Sequence, residues 1–197
     1  MRLVAEEDFA RLYAARAVDL GEVVARETPI RRQMGGDTVT EGMNWVEDRA
    51  ERRFYDAAAE RGATVLVGNS REVGGEAVSV RGRAYFVSDV DLAVGEAVRA
   101  RVIFPSDLTR LEERFSLEVV FSGQDQTEYR SPSMADADYM EQMARDGVNA
   151  ELALDAARRG ADFFVLENEG TPSAGFVTGQ VSSSGTGYRV TAIKKRA

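Results

Sequence analysis

A chain of 197 residues with a net charge of −8 has room for one or two domains and lacks the clustered cations that phosphate-backbone binding needs. It contains neither Cys nor His, which excludes disulfides, thiolate or imidazole metal sites, Cys nucleophiles and every triad built on an imidazole base. No run approaches the roughly 18 apolar residues of a membrane span, and Met1 to Asp8 turns acidic instead of apolar, so a cytoplasmic protein without membrane insertion or nucleic-acid binding is expected.

In chain order, Glu6–Arg16 reads as a short helical stretch and Val18–Thr28 as a strand. A polar stretch rich in Gly and Thr follows. The main helix is expected to start near Asn44, where Asn44 and Glu47 have the spacing of a capping box. Val46, Ala50, Phe54 and Ala57 or Ala58 form its apolar stripe. Gly62 ends it, because glycine accepts the left-handed backbone that closes a helix. Ala63–Val67 is then a strand, Gly68–Gly75 a hairpin turn, and Glu76–Ser88 a final arm. In that arm Val78, Val80, Ala84 and Phe86 alternate with Ser79, Arg81, Arg83 and Tyr85, one dry face and one wet. Ala97–Phe104 alternates as well and suggests a further strand in a joining segment.

The same sequence of signals then returns. Ser106–Arg114 is helical, Phe115–Ser122 a strand, and Asp138 with Glu141 marks a second helix start. Met140, Ala144, Val148, Leu152 and Ala156 form the stripe, Gly160 the stop, Ala161–Leu166 a strand and Gly179–Lys194 the final arm. Gly62-Ala63 falls on Gly160-Ala161 at a spacing of about 98 residues, and Asp8-Phe-Ala-Arg-Leu12 on Asp107-Leu-Thr-Arg-Leu111 at a similar one. Leu20-Gly-Glu-Val-Val24 falls on Leu117-Glu-Val-Val120, and Arg81-Gly-Arg-Ala-Tyr85 on Ser184-Gly-Thr-Gly-Tyr188. Four matches in one order predict a tandem duplication: residues 1–90, a joining segment 91–106, and residues 107–197. The expected fold class is α+β, two β-α-β-β units whose antiparallel sheets are each covered on one face by a helix.

Leu20-Gly-Glu-Val-Val24, the Ala-rich helix end Ala58-Ala-Glu-Arg-Gly-Ala63 and the arm Val80-Arg-Gly-Arg-Ala-Tyr85 resemble the bacterial YbjQ-like domain, labelled heavy-metal-binding, whose outline recurs in envelope-stress lipoproteins. Ala156–Ala161 and Ser184-Gly-Thr-Gly-Tyr188 carry the resemblance in the second half. It implies a small, often self-assembling α+β domain without established catalytic residues. For the metal label, a chain without His or Cys retains only carboxylates, which favour Ca²⁺ or Mg²⁺.

Asp136, Asp138 and Glu141 are the candidate metal ligands, and the same spacing equally suits capping of a helix N-terminus. Trp45, the only Trp, is the candidate partner anchor, or else a half-buried staple over the sheet. Gly62 and Gly160 are structural candidates. Gly170-Thr-Pro-Ser-Ala-Gly175 has phosphate-loop glycine spacing, but Phe176 and Val177 replace the Lys and hydroxyl that such a loop needs. Ser182-Ser-Ser184 offers hydroxyls without a base, and Arg31-Arg32 and Arg52-Arg53 suit ion-paired faces among neighbouring acids. The tail Lys194-Lys-Arg196 is too short for nucleic acid. No catalytic residue and no cofactor is expected. The leading functional expectation is a non-catalytic binding or assembly protein that forms a homo-oligomer. Its alternatives are a small-ligand binder using Trp45, Tyr85 or Tyr188 between the copies, and a carboxylate- or Mg²⁺-dependent enzyme. Arg81, Arg83, Arg99 and Arg101 are expected to blunt outer strands.

Overall fold

The computed structural model describes residues 1–34, 37–74, 77–131, 137–170 and 178–194. The chain opens with β1 (Arg2–Val4), α1 (Glu6–Leu12), β2 (Val18–Glu27), a small hairpin of β3 (Arg31–Met34) and β4 (Asp37–Thr40), α2 (Met43–Glu60), β5 (Val65–Gly74) and β6 (Ala77–Phe86). It continues with β7 (Glu96–Ala97), β8 (Arg101–Ile103), α3 (Pro105–Arg114), β9 (Phe115–Arg130), α4 (Ala137–Arg158), β10 (Phe163–Glu169) and β11 (Thr178–Ile193). These elements divide into a first unit, Arg2–Glu96, and a second, Ala97–Ala197 together with Met1. The fold is α+β. One sheet has the strand order β2-β6-β5-β1-β7, the other β8-β10-β11-β9.

Both main helices stop at glycine for the same reason. Gly62 has φ +84° and Gly160 φ +92°. Gly62 N–H donates to Ala59 O at 2.8 Å and Ala63 N–H to Ala58 O at 3.1 Å; Gly160 N–H donates to Ala157 O and Ala161 N–H to Ala156 O, both at 2.9 Å. This paired pattern satisfies the last carbonyls of the helix and requires a left-handed residue at the turn. The chain is thereby aimed back along the helix into β5 or β10.

The apolar stripes pack as their spacing dictates. On α2, Val46, Ala50, Phe54 and Ala58 are buried, and each large side chain taken out of water contributes about 1.5–3 kcal/mol. The Phe54 ring lies where a Cβ on Gly82 of β6 would be 2.9 Å away, so that glycine makes room for the helix. On α4, Val148, Leu152, Ala153, Ala156 and Ala157 join Phe121, Phe164, Leu166 and Val181 in one core.

Four expectations need correction. The sheets are mixed, not antiparallel, because β1 pairs parallel with β5 and β8 pairs parallel with β10. A three-residue strand does not announce its pairing direction, and β8 lies inside Ala97–Phe104, the strand expected in the joining segment. A second helix covers part of the other face of each sheet. Phe9 and Tyr13 pack with Val65, Val67 and Val87 in the first unit, and Phe115 stacks on Phe163 at 6.2 Å in the second, where α3 meets β9 and β10. Asn44 and Glu47 make no capping box: α2 begins one residue earlier with Gly42 as its N-cap and no side-chain cap, and Glu47 pairs with Arg71 instead. Gly68 is not in a hairpin turn. It lies within β5 at φ +67°, where the register against β6 shifts, and Gly75 is outside the described residues.

The strand that follows each helix closes on a buried polar residue. Thr64 Oγ1 accepts from Val87 N–H at 2.8 Å and donates to Val87 O at 2.9 Å. At the corresponding point of the second unit Asp162 Oδ2 accepts from Val190 N–H at 2.9 Å, and Asp162 Oδ1 lies 2.8 Å from the Met1 ammonium.

Candidate functional site

Of the three candidate metal ligands, Asp136 lies outside the described residues, as do residues 171–175 of the glycine-spaced motif and the tail residues Lys195 and Arg196. Asp138 is exposed, and Glu141 is held by Arg145, whose Nε and Nη2 donate to Glu141 Oε1 at 2.9 and 2.8 Å. The Tyr129 hydroxyl donates to Glu141 Oε2 at 3.5 Å, and its pKa is raised above 10.0, first by desolvation and then by the Glu141 charge. Among the described residues no group of three or more Asp or Glu is arranged to hold a metal ion. Trp45 stands 52% exposed at the start of α2, more open than a staple over the sheet. Tyr85 packs tilted on Phe9 with ring centroids 4.2 Å apart, so its ring serves the core. Burial raises the Tyr188 phenol, followed by the charges of Glu167 and Glu112.

The outer strands are where the two units differ. In the first, β2 is an edge, and arginines of α2 strap it. Arg49 Nε donates to Glu27 Oε2 at 2.7 Å, its Nη2 to Thr28 O at 2.7 Å, and Arg53 Nη1 lies 2.6 Å from Glu27 Oε1. Arg49 also holds Glu41 through Nη1, at 2.5 and 2.7 Å to the two carboxylate oxygens. The guanidinium of Arg61, just past α2, donates to Glu22 O at 2.7 Å and to Leu20 O at 3.4 Å, carbonyls of the strand itself. Asp19 on the same strand takes Arg83 Nη2 at 2.5 Å, and this hydrogen bond, with that from Gly21 N–H, holds its carboxyl below the usual 3.8. Arg81 and Arg83 therefore do not blunt an edge: they sit on β6, an interior strand, and are paired with Glu72 and Asp19. Arg101 does lie on an outer strand, β8.

In the second unit the edge is β9, sixteen residues long against ten in β2. It pairs with β11 from Phe115 to Arg130, and no other described strand pairs with it. Val119 on this strand is 58% exposed. The equivalent of Arg61 is Arg159, whose guanidinium lies over the Phe121 ring at 5.2 Å.

Two concavities flank this strand. One, of about 440 Å³, is lined by the amides of Gln124, Gln126 and Asn168, by Ser182, Ser183 and Ser184, and by Asp125, which lies opposite Ser183 in the register. The other, of about 500 Å³, lies between β9 residues 125–130 and the first half of α4, with Met140, Met143, Ala144 and Val148 on its wall. Ser182 and Ser184, read from the sequence only as hydroxyls without a base, lie inside β11, and the second cavity is not visible in the sequence alone. Its signal is the absence of Arg49 and Arg53 equivalents from α4. No helix among the described residues is long and apolar enough to cross a membrane. Asp138 and Glu141 are not among the described residues that line this cavity, and comparisons with family models, with curated proteins and with solved structures return no match to say what the surface binds.

Proposed function

We propose that the chain is a non-catalytic binding and assembly protein made of two copies of one α+β unit, and that it associates with itself through open strand edges. The duplication draws support from the corresponding strand orders, β2-β6-β5-β1 and β9-β11-β10-β8, and from the matching register shifts. Each edge strand slips by one residue opposite an equivalent tyrosine, between Asp19 and Gly21 facing Tyr85 and between Val119 and Phe121 facing Tyr188. The YbjQ-like reading rests on the sequence motifs that follow the same elements, and it brings self-assembly with it.

The observation that carries the assembly reading is β9, paired on one side over sixteen residues and bearing the exposed Val119. A one-sided strand presents backbone N–H and C=O groups to another chain, and a charge on it opposes that pairing. Light scattering on a size-exclusion column tests it. Wild-type protein is expected to exceed 21.6 kDa and to fall toward that mass on dilution, and Val119→Lys is expected to stay at 21.6 kDa. A wild-type mass fixed at 21.6 kDa at every concentration refutes self-assembly.

A further inference from the structure

Resting on the reading of the chain as a binding protein, we infer that the seam between β9 and α4 is a docking groove for an extended segment of a partner protein, alternating apolar and basic side chains.

The first unit shows what a closed seam looks like. There α2 reaches its edge strand with Arg49 and Arg53, and both meet Glu27. Gly147 stands as far before Gly160 as Arg49 does before Gly62, and Glu151 as far as Arg53. Across from them Thr127 pairs with buried Val181 just as Glu27 pairs with buried Val78. A glycine and a glutamate facing a threonine make no strap. The same framework therefore leaves a cavity of about 500 Å³ where the first unit has ion pairs.

The shape of this cavity suits a strand. Its floor is six consecutive residues of β9, Asp125 to Arg130, or about 20 Å of edge at 3.3 Å per residue. Main-chain hydrogen bonds to an open edge supply affinity in a sequence-tolerant way, and a groove alongside takes every second side chain of the guest. Met140 and Met143 line that groove, and their unbranched side chains adapt to varied apolar guests. A Cβ built on Gly147 meets nothing within 4 Å, so the groove reaches the helix backbone there.

Charge selects the partner. Three acids line the groove, Asp125, Glu128 and Glu151, against one cation, Arg130, and among the described residues none of the three acids is in a salt bridge. The guest side chains that are not apolar are thus matched when they are Lys or Arg. A second copy of this chain, itself at −8, is a poorer fit to this groove than a basic segment.

Fluorescence anisotropy on the full chain tests the inference, with a labelled peptide alternating Leu and Arg as probe and one alternating Leu and Glu as control. The Leu/Arg peptide is expected to bind and the Leu/Glu peptide not. Gly147→Leu fills the groove, keeps every charge and replaces a poor helix former with a good one, so it is expected to fold. It is expected to weaken the Leu/Arg peptide by at least about ten-fold, a loss of about 1.4 kcal/mol. Asp125→Lys with Glu151→Lys, both at exposed positions, is expected to invert the preference toward the Leu/Glu peptide. No binding of the Leu/Arg peptide by wild type, equal binding by Gly147→Leu, or an unchanged preference in the double variant overturns the groove. Peptide binding by a chain that stays at 21.6 kDa overturns self-assembly and leaves the groove standing, whereas an assembling chain that ignores the peptide does the reverse.

Discussion

Replacing Gly62 and Gly160 by Asn, Ala and Val in turn isolates the cost of the backbone turn that ends each main helix. Both glycines are buried, both have φ near +90°, and both carry the two hydrogen bonds that close the helix end. An L residue held there costs about 1–2 kcal/mol, with Asn the least penalised because its short polar side chain tolerates this region. A β-branched residue is worse, toward about 3 kcal/mol. The expected order of destabilisation at each site is therefore Asn, then Ala, then Val. For a unit of roughly 100 residues, about 1 kcal/mol displaces Tm by about 4–8 °C, so Ala is expected to lower Tm by several degrees and Val by ten or more. The two sites close different helices and share no hydrogen-bond partner, so the double Ala variant is expected to add the two effects within about 0.5 kcal/mol. Differential scanning calorimetry and urea titration give the numbers. Equal melting for Asn, Ala and Val, or no loss in any of them, would show that the left-handed turn is not what ends these helices.

Other expected outcomes follow from particular contacts. Ser183 is 3% exposed with an Oγ that has no hydrogen-bond partner among the described residues, while Val80 fills the corresponding register position in the first unit, so Ser183→Val is expected to raise stability by about 1 kcal/mol in a urea titration. Asp19 is held below its ordinary 3.8 by Arg83, so the stability it adds is present above pH 3.8 and is lost as pH falls through its lower folded value; in Arg83→Gln an NMR titration is expected to find the Asp19 carboxyl moved up toward 3.8. Glu141→Gln is expected to lower the Tyr129 phenol pKa, seen by ¹³C-tyrosine NMR, because it removes a charge that opposes phenolate formation. Zn²⁺, Ni²⁺ and Cu²⁺ are expected to give no tight stoichiometric isotherm in calorimetry, since the chain has no His or Cys.

The parts of the fold that were legible in the sequence are those with a long period or a special residue. The stripe Val46, Ala50, Phe54, Ala58 and the stop at Gly62 placed α2 to within a residue or two. The alternation gives Val78, Val80 and Ala84 as the buried face of β6, but Phe86 at its end is only half-buried and Tyr85, expected on the wet face, packs on Phe9. Three residues do not make a period, so Arg2–Val4 is not legible, whereas Arg101–Ile103 lies inside the strand expected over Ala97–Phe104; the parallel pairing of both depends on β5 and β10, far along the chain. The second half of β9, Gly123 to Arg130, carries mostly polar residues on both faces, so the sequence alone ends the strand at Ser122. The hairpin Arg31–Thr40 was read only as a polar stretch. The groove is a matter of what α4 lacks. Aligning the closing glycines puts Gly147 on Arg49, but the meaning of that difference depends on Glu27 lying across the seam, which only the register of β2 against β6 establishes.

The strand order of the second unit also has a consequence in time. The partner of β9 is β11, and α4 and β10 lie between them in the chain, so the largest strand pairing in the unit joins residues as far apart as Phe115 and Ile193. Closing so long a loop comes before any reward from the ladder, which makes this step slow compared with a local hairpin such as β5 with β6. During synthesis β9 emerges well before its partner and for that interval has two bare edges instead of one. At roughly 5–20 residues per second the wait is several seconds. The acids along the strand, Glu118, Asp125 and Glu128, are then its protection against premature pairing, so a surface that later selects partners first serves to keep the nascent chain apart from its neighbours.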